Sequence, residues 1–178
     1  MKSLYLPELD CFIRYHLIEG IEPGRVYLPG LGAPASSLLS TATHPELVGH
    51  QSLLIDYLGC GISDTPENYT YTIEKQADLV LRILEKEKID RCQIIGHSMG
   101  GTVGIYMALK QPEIIERLVL AEANIEKGGG RGTKYIASFG EEEFLNKTIH
   151  LLNKRDLIYQ CDTLVYSEKV IFGFFILR

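Results

Sequence analysis

A serine stands between two glycines in the stretch 96–101, which reads Gly-His-Ser-Met-Gly-Gly. An apolar run at 92–95 predicts a buried strand before it, and residues 105–109 predict a helix after it. A serine at such a junction takes a strained backbone conformation, so glycine two residues to either side avoids a collision across the sharp turn. The N–H group of Met99, at the helix N-terminus, then faces any negative charge that develops at Ser98. The pattern predicts a nucleophilic serine; a glycine-rich turn without chemistry is the alternative.

The composition limits the classes of protein and partner. A chain of 178 residues with 46% hydrophobic and 23% charged residues is typical of one globular domain with a full core. The formal net charge of -5, without a cluster of Lys or Arg, argues against a nucleic acid partner. No apolar run reaches the length that spans a membrane, and the first eight residues lack the apolar core of a signal peptide. We therefore expect neither a nucleic acid nor a membrane as partner.

The four cysteines are scattered along the chain without a C-x-x-C pair. This spacing argues against a disulfide scaffold and against a zinc site. Reduced thiols in a cytoplasmic protein fit it best, and no metal or other cofactor is predicted. The cysteines are Cys11, Cys60, Cys92 and Cys161.

Apolar runs predict strands that alternate with helices, which is typical of an α/β protein with a mostly parallel sheet and helices on both faces. One helix is predicted to begin after Thr72 as N-cap, to carry an apolar stripe and to end in the solvated run Glu85–Lys88. The run Glu19–Gly24 predicts a turn. Besides the strand before Ser98, the predicted strands are Cys11–Ile18, Arg25–Leu28, Gln51–Asp56 and Arg117–Ala121.

Four residues of interest lie at or shortly after the carboxyl ends of predicted strands: Leu31, Asp56, Ser98 and Glu122. Ligands of parallel α/β sheets bind beyond the carboxyl ends of the strands, so we expect these residues to share one edge. Asp56 could take part in chemistry there. The favoured alternative is that it accepts hydrogen bonds from backbone N–H groups and so fixes the loop that follows it.

The pattern changes after about residue 133. We expect residues 1–125 to form the core and residues 126–178 to form a cap-like or divergent C-terminal segment. A helix is predicted over 144–152. The apolar run at 170–178 is either a last strand or an exposed, aggregation-prone tail.

Three stretches together resemble the α/β-hydrolase superfamily. Residues 29–32, Pro-Gly-Leu-Gly, stand where family members often have H-G-x-G. Residues 56–63 resemble the family motif D-x-x-G-x-G-x-S, and residues 96–101 resemble its nucleophile turn. Their order and spacing match as well, and the likeness covers roughly residues 10 to 125.

The resemblance implies a role for each matching position. Ser98 would be the nucleophile, and the N–H groups of Leu31 and Met99 would form the oxyanion hole. Asp56 would be structural. His97 points elsewhere in this family and would not be the base. Pro29 replaces a histidine that generally has a supporting role.

The family order of catalytic residues is Ser, then Asp or Glu, then His. Glu122 could be the acid, since some relatives place theirs after the strand that follows the nucleophile; a loop-capping Glu is the alternative. His150 is the sole histidine after Ser98, but it falls in an apolar stretch that predicts a helix. The last strands of the family, which usually carry the acid and the histidine, have no convincing counterpart here, so a C-terminal truncation is expected.

The resemblance implies a hydrolase that uses Ser98 on a small ester, amide or other acyl compound. Two alternatives stay open: a truncated, inactive homologue, and a non-catalytic protein that binds a small acyl compound. For the hydrolase and for the binding protein, the expected partner is a small molecule. The sequence does not indicate an oligomeric state.

Overall fold

The computed structural model describes residues 1–125, the single residues 138, 140 and 143, and the strand Phe174–Leu177. The chain divides into two compact units, one of Met1–Ala123 with Gly173–Arg178 and the other of Asn124–Phe172. Most of the second unit lies outside the described residues, and so do His150 and the helix predicted at 144–152. The expected boundary at residues 125 and 126 therefore stays a prediction.

Seven strands form one sheet in the order β1-β2-β4-β3-β5-β6-β7. Strands β4, β3, β5 and β6 are parallel neighbours. The pairs β1/β2 and β2/β4 on one side, and β6/β7 on the other, are antiparallel. The predicted α/β class with a mostly parallel sheet is confirmed. The strands are β1 (Lys2–Leu6), β2 (Cys11–Ile18), β3 (Ile21–Leu28), β4 (His50–Asp56), β5 (Cys92–His97), β6 (Ile115–Ala121) and β7 (Phe174–Leu177).

Helices cover both faces of the sheet. Adjacent residues of a strand point to opposite faces, so one strand contributes side chains to both clusters. Tyr27 of β3 packs with Ala35 in a small cluster on one face. Its neighbour Val26 belongs to the main core, together with Val80 and Val103 from two longer helices. The helices are the 3-10 helix Ala35–Leu38, α1 (Leu39–Ala42), α2 (Ile73–Lys86), α3 (Met99–Lys110) and the 3-10 helix Pro112–Ile114.

The predicted helix after Thr72 is confirmed as α2, and the Thr72 side chain accepts a hydrogen bond from the Lys75 N–H group at 3.4 Å. The predicted turn Glu19–Gly24 is wrong in its second half, because β3 already begins at Ile21. There the Ile21 N–H group donates to Gly49, and the pairing with β4 then shifts register before Arg25. Pro23, which has no N–H group for the ladder, lies within that irregular stretch.

Two further findings concern the ends of the chain. Strand β1 was not predicted; it is a short, mostly exposed edge strand. Strand β7 agrees with the interpretation of the terminal apolar run as a last strand.

Among the residues that the structure describes, no helix is long and apolar enough to cross a membrane.

Asp56 ends β4 and ties two loops together from a buried position. One carboxylate oxygen accepts a hydrogen bond from the Ala35 N–H group at 2.6 Å, and the other accepts from the Ile62 N–H group at 3.3 Å. The Ser63 hydroxyl donates to the Asp56 carbonyl oxygen at 2.6 Å. The predicted structural role of Asp56 is confirmed. Through Ala35, it fixes the end of the loop that joins β3 to the first helix.

The start of α3 lies directly against the carboxyl end of β3. A Cβ atom placed on Gly100 would fall well inside van der Waals distance of the Leu28 carbonyl and would lie 2.6 Å from the Pro29 carbonyl oxygen. These neighbours are backbone atoms of a central strand, so they cannot move aside as a flexible side chain could. Glycine at position 100 therefore sets how closely α3 approaches the sheet.

We expect Gly100→Ala to lower the free energy of unfolding by about 3 kcal/mol, because the added methyl group must displace sheet or helix backbone. Gly140→Ala is the matched control, since a Cβ atom there meets nothing within 4 Å. Urea denaturation followed by circular dichroism measures both. Equal stability of the two variants would contradict the close packing described for α3.

We expect Asp56→Ala to lower the free energy of unfolding by about 2 kcal/mol, because it leaves a buried N–H group without an acceptor. Asp78→Ala serves as control: it removes an exposed ion pair with Lys110 and should change stability by less than about 1 kcal/mol. The same denaturation experiment applies. A cost for Asp56→Ala no larger than that for Asp78→Ala would show that the two loop bonds do not anchor the loop.

Candidate active site

Ser98 links β5 to α3 in a backbone conformation that residues other than glycine rarely adopt, with φ 50° and ψ -118°. Such a conformation costs about 1 to 3 kcal/mol and persists only where the surroundings impose it. Here the Ser98 N–H group donates to the Ala121 carbonyl of β6 at 2.9 Å, and the Gly101 N–H group donates to the Ser98 carbonyl at 3.0 Å. The turn is therefore held from both the sheet and the helix.

The glycines around Ser98 avoid two different collisions. A Cβ atom on Gly96 would lie 2.6 Å from Gly101 Cα and 2.7 Å from the Gly100 carbonyl oxygen, which is the predicted collision across the turn. Gly100 instead faces the end of β3, as described above. Gly96 therefore avoids a collision within the turn, and Gly100 avoids a collision with the end of β3.

The loop after β3 runs beside Ser98. A Cβ atom on Gly30 would lie 3.5 Å from Ser98 Cβ. Within the described part of the chain, neither the Leu31 nor the Met99 N–H group donates a hydrogen bond, and the Ser98 hydroxyl has no hydrogen-bond partner. The structure therefore brings the loop that carries Leu31, the turn at Ser98 and the start of α3 to one edge of the sheet.

Glu122 follows β6 and contacts His97. The distance between His97 Nε2 and Glu122 Oε2 is 3.6 Å, and about half of each side chain is exposed. Glu122 also has a positive φ, of 52°. The sequence motifs did not indicate this contact. The register of β5 with β6, which pairs His97 with Ala121, accounts for it.

Cys60 is the other potential nucleophile near the loop after β3. Burial raises the pKa of its thiol, and the negative charge of Asp56 raises it further, while a hydrogen bond with the Gly32 backbone acts in the opposite direction. The net effect is a raised pKa, so the thiol stays protonated and weakly nucleophilic at neutral pH. Ser98 is therefore the nucleophile candidate at this edge.

Nothing in the described residues resembles a metal centre. No group of three or more His, Cys, Asp or Glu side chains is placed there to hold a metal ion. Residues 1–125 contain four of the five histidines, at positions 16, 44, 50 and 97. The fifth, His150, lies outside the described residues, and whether it serves as a base stays open.

Comparisons with known proteins indicate the family. The chain is 36% identical over 110 residues to the sn-1-specific diacylglycerol lipase ABHD11 of Xenopus tropicalis, covering 60% of this chain and 34% of the relative. It is 36% identical over 98 residues to the putative carbamate hydrolase RutD of Stutzerimonas stutzeri, covering 54% and 36%. A hydrolase structure from Pseudomonas aeruginosa matches with a TM-score of 0.63 and 29% identity, over 77% of this chain and 51% of that one.

The chain matches only about a third of the length of these two curated relatives. The family assignment depends on a broader match. A family model described as the alpha/beta hydrolase fold matches residues 26–148, which include the loop after β3, Asp56, the turn at Ser98 and Glu122. The fold, the strained serine and this match agree, and the chain belongs to the alpha/beta hydrolase fold family.

Proposed function

We propose that Ser98 is the nucleophile of a hydrolase that acts on a small ester, amide or other acyl compound. One observation carries the proposal. Ser98, held at φ 50°, lies beside the loop after β3. A Cβ atom placed on Gly30 of that loop would lie 3.5 Å from Ser98 Cβ. Strained backbone conformations cluster at active sites, and ligands of parallel α/β sheets bind beyond the carboxyl ends of the strands.

In the proposed reaction, the Ser98 oxygen attacks the carbonyl carbon of the substrate and its proton passes to a general base. The carbonyl oxygen becomes an oxyanion, which accepts hydrogen bonds from the Leu31 and Met99 N–H groups. Collapse of this intermediate expels the alcohol or amine with a proton and leaves an acyl group on Ser98. Water then attacks the acyl group, the acid is released and Ser98 regains its proton.

Met99 suits this role for two physical reasons. As the first residue of α3, its N–H group has no intrahelical acceptor. The aligned peptide dipoles of the twelve-residue helix also place partial positive charge at this end. Both effects favour a developing negative charge at Ser98. The helix N-terminus here supports the proposal together with the strained serine and the adjacent loop.

The general base and the acid are proposed on the order of residues in the chain. His150 follows Ser98 and is a candidate for the base, and Glu122 is a candidate for the acid, with a structural role of Glu122 as the alternative. Without a base, a serine hydroxyl is a weak nucleophile at neutral pH. Loss of one member of such a set removes orders of magnitude in rate and leaves the effects of the oxyanion hole and of binding.

The relatives support the class of substrate. One is named as a diacylglycerol lipase and another as a putative carbamate hydrolase, and both names denote compounds with an acyl carbonyl. We extend to this chain only that shared feature, a carbonyl carbon bonded to oxygen or nitrogen. A binding protein for the same compounds, without turnover, is the alternative.

We expect a fluorophosphonate probe to label the wild-type protein and to leave Ser98→Ala unlabelled, because the probe forms its bond to an activated serine. Ser36→Ala is the matched control; this serine is exposed and follows the same edge loop, and labelling should match that of the wild type. Hydrolysis of p-nitrophenyl acetate should fall about 10³-fold or more in Ser98→Ala. In-gel fluorescence and absorbance measure the two quantities.

Two results would overturn the proposal. In the first, wild type and Ser98→Ala are labelled to the same extent, or neither is labelled. In the second, p-nitrophenyl acetate binds equally well to both proteins, as judged by calorimetry, and neither turns it over. The second result would support the non-catalytic binding protein instead.

A further inference from the structure

The imidazole ring of His97 lies between the loop after β3 and the Glu122 carboxylate. A Cβ atom on Gly30 would lie 3.2 Å from Nδ1 and 3.6 Å from Cε1 of His97. On the other side, Nε2 is 3.6 Å from Glu122 Oε2. The two ring nitrogens therefore face different partners, one the loop that carries the Leu31 N–H group and the other a carboxylate.

Gly30 shows how tightly the loop packs on this ring. Contacts of 3.2 Å are shorter than those that side-chain carbons normally make, so even a methyl group at position 30 would push the loop or the ring aside. The same Cβ atom placed on Gly30 would lie 3.5 Å from Ser98 Cβ. The position of the loop relative to Ser98 thus depends on where the His97 ring lies.

The end of β6 places Glu122 beside His97. The register of β5 with β6 pairs His97 with Ala121, so the next residue lies beside the imidazole. Its positive φ turns the chain at this point. Within the described residues, His97 is the basic side chain that lies within 4.0 Å of the Glu122 carboxylate. The contact at 3.6 Å is longer than a direct hydrogen bond, and it leaves the carboxylate beside the Nε2 edge of the ring.

We propose that Glu122 and His97 form a positioning pair that holds the loop after β3 in place, so that the Leu31 N–H group points at the oxyanion formed on Ser98. The inference rests on the proposed function and assigns Glu122 a role through His97. An oxyanion donor stabilises the transition state only when it lies about 2.7 to 3.1 Å from the oxygen. A ring that is free to rotate lets the loop shift out of that range.

This role predicts a specific pattern of kinetics. Stabilisation by the Leu31 N–H group is stronger in the transition state than in the bound substrate, so losing it lowers kcat more than it raises KM. For p-nitrophenyl acetate, we expect Glu122→Gln and His97→Asn each to lower kcat about tenfold and to change KM less than about twofold.

The double variant tests whether the two residues act as one unit. When His97 is already replaced, Glu122→Gln should lower kcat by less than about twofold more, since its effect passes through the ring. Glu113→Gln is the control, because Glu113 is exposed in the 3-10 helix after α3, and its kcat should equal that of the wild type. If Glu122 is instead the acid of a catalytic triad, Glu122→Gln loses about 10³-fold or more in both backgrounds, and the positioning role is wrong.

A second measurement does not depend on turnover and so separates this inference from the proposed function. We expect hydrogen exchange of the Gly32 and Ala33 amides, which are hydrogen-bonded to Cys60 and to the Gly30 carbonyl, to be at least about fivefold faster in Glu122→Gln by NMR, with an unchanged denaturation midpoint. Faster exchange without hydrolysis by the wild type would keep the positioning pair and reject the hydrolase. Unchanged exchange would overturn the positioning pair whatever the activity.

Discussion

The backbone of α3 begins so close to the end of β3 that position 100 has no room for a side chain. This approach forces the chain to leave β5 through a sharp turn, and Ser98 adopts the strained, positive-φ conformation at that turn. The hydrogen bond from the Ser98 N–H group to β6 fixes the turn on its other side. A serine in this position cannot relax into regular strand or helix geometry, so its hydroxyl stays at the carboxyl edge of the sheet.

The remaining parts of the edge are arranged around that serine by separate, simpler interactions. Asp56 holds the far end of the β3 loop through the Ala35 N–H group, and the His97 ring lies against Gly30 near its other end. The loop is therefore fixed on both sides of Leu31. In the proposed reaction, backbone N–H groups of this fixed loop and of the start of α3 would receive the oxyanion, and preorganised donors of this kind supply a large stabilisation in acyl transfer.

Local patterns in the sequence were sufficient to predict the α/β class, the helix α2 with its Thr72 cap, and the turn at Ser98. Each depends on short spacings or on one hydrophobic period. Interactions between distant residues were not predictable in this way. Glu87, expected in a solvated helix end, accepts a hydrogen bond from Tyr15 at 2.5 Å, and its side chain is only 9% exposed. The contact of Glu122 with His97 likewise depends on the register of two strands, which no local motif encodes.

We propose that Ser98 attacks an acyl carbonyl while the Leu31 and Met99 N–H groups receive the oxyanion. A crystal structure of the protein after reaction with a diethyl phosphate ester tests this proposal, because the bound phosphorus mimics the tetrahedral intermediate. We expect one adduct, on Ser98 Oγ, with its phosphoryl oxygen about 2.7 to 3.1 Å from both N–H nitrogens. An adduct on another residue, or a phosphoryl oxygen turned away from Leu31 and Met99, would contradict it.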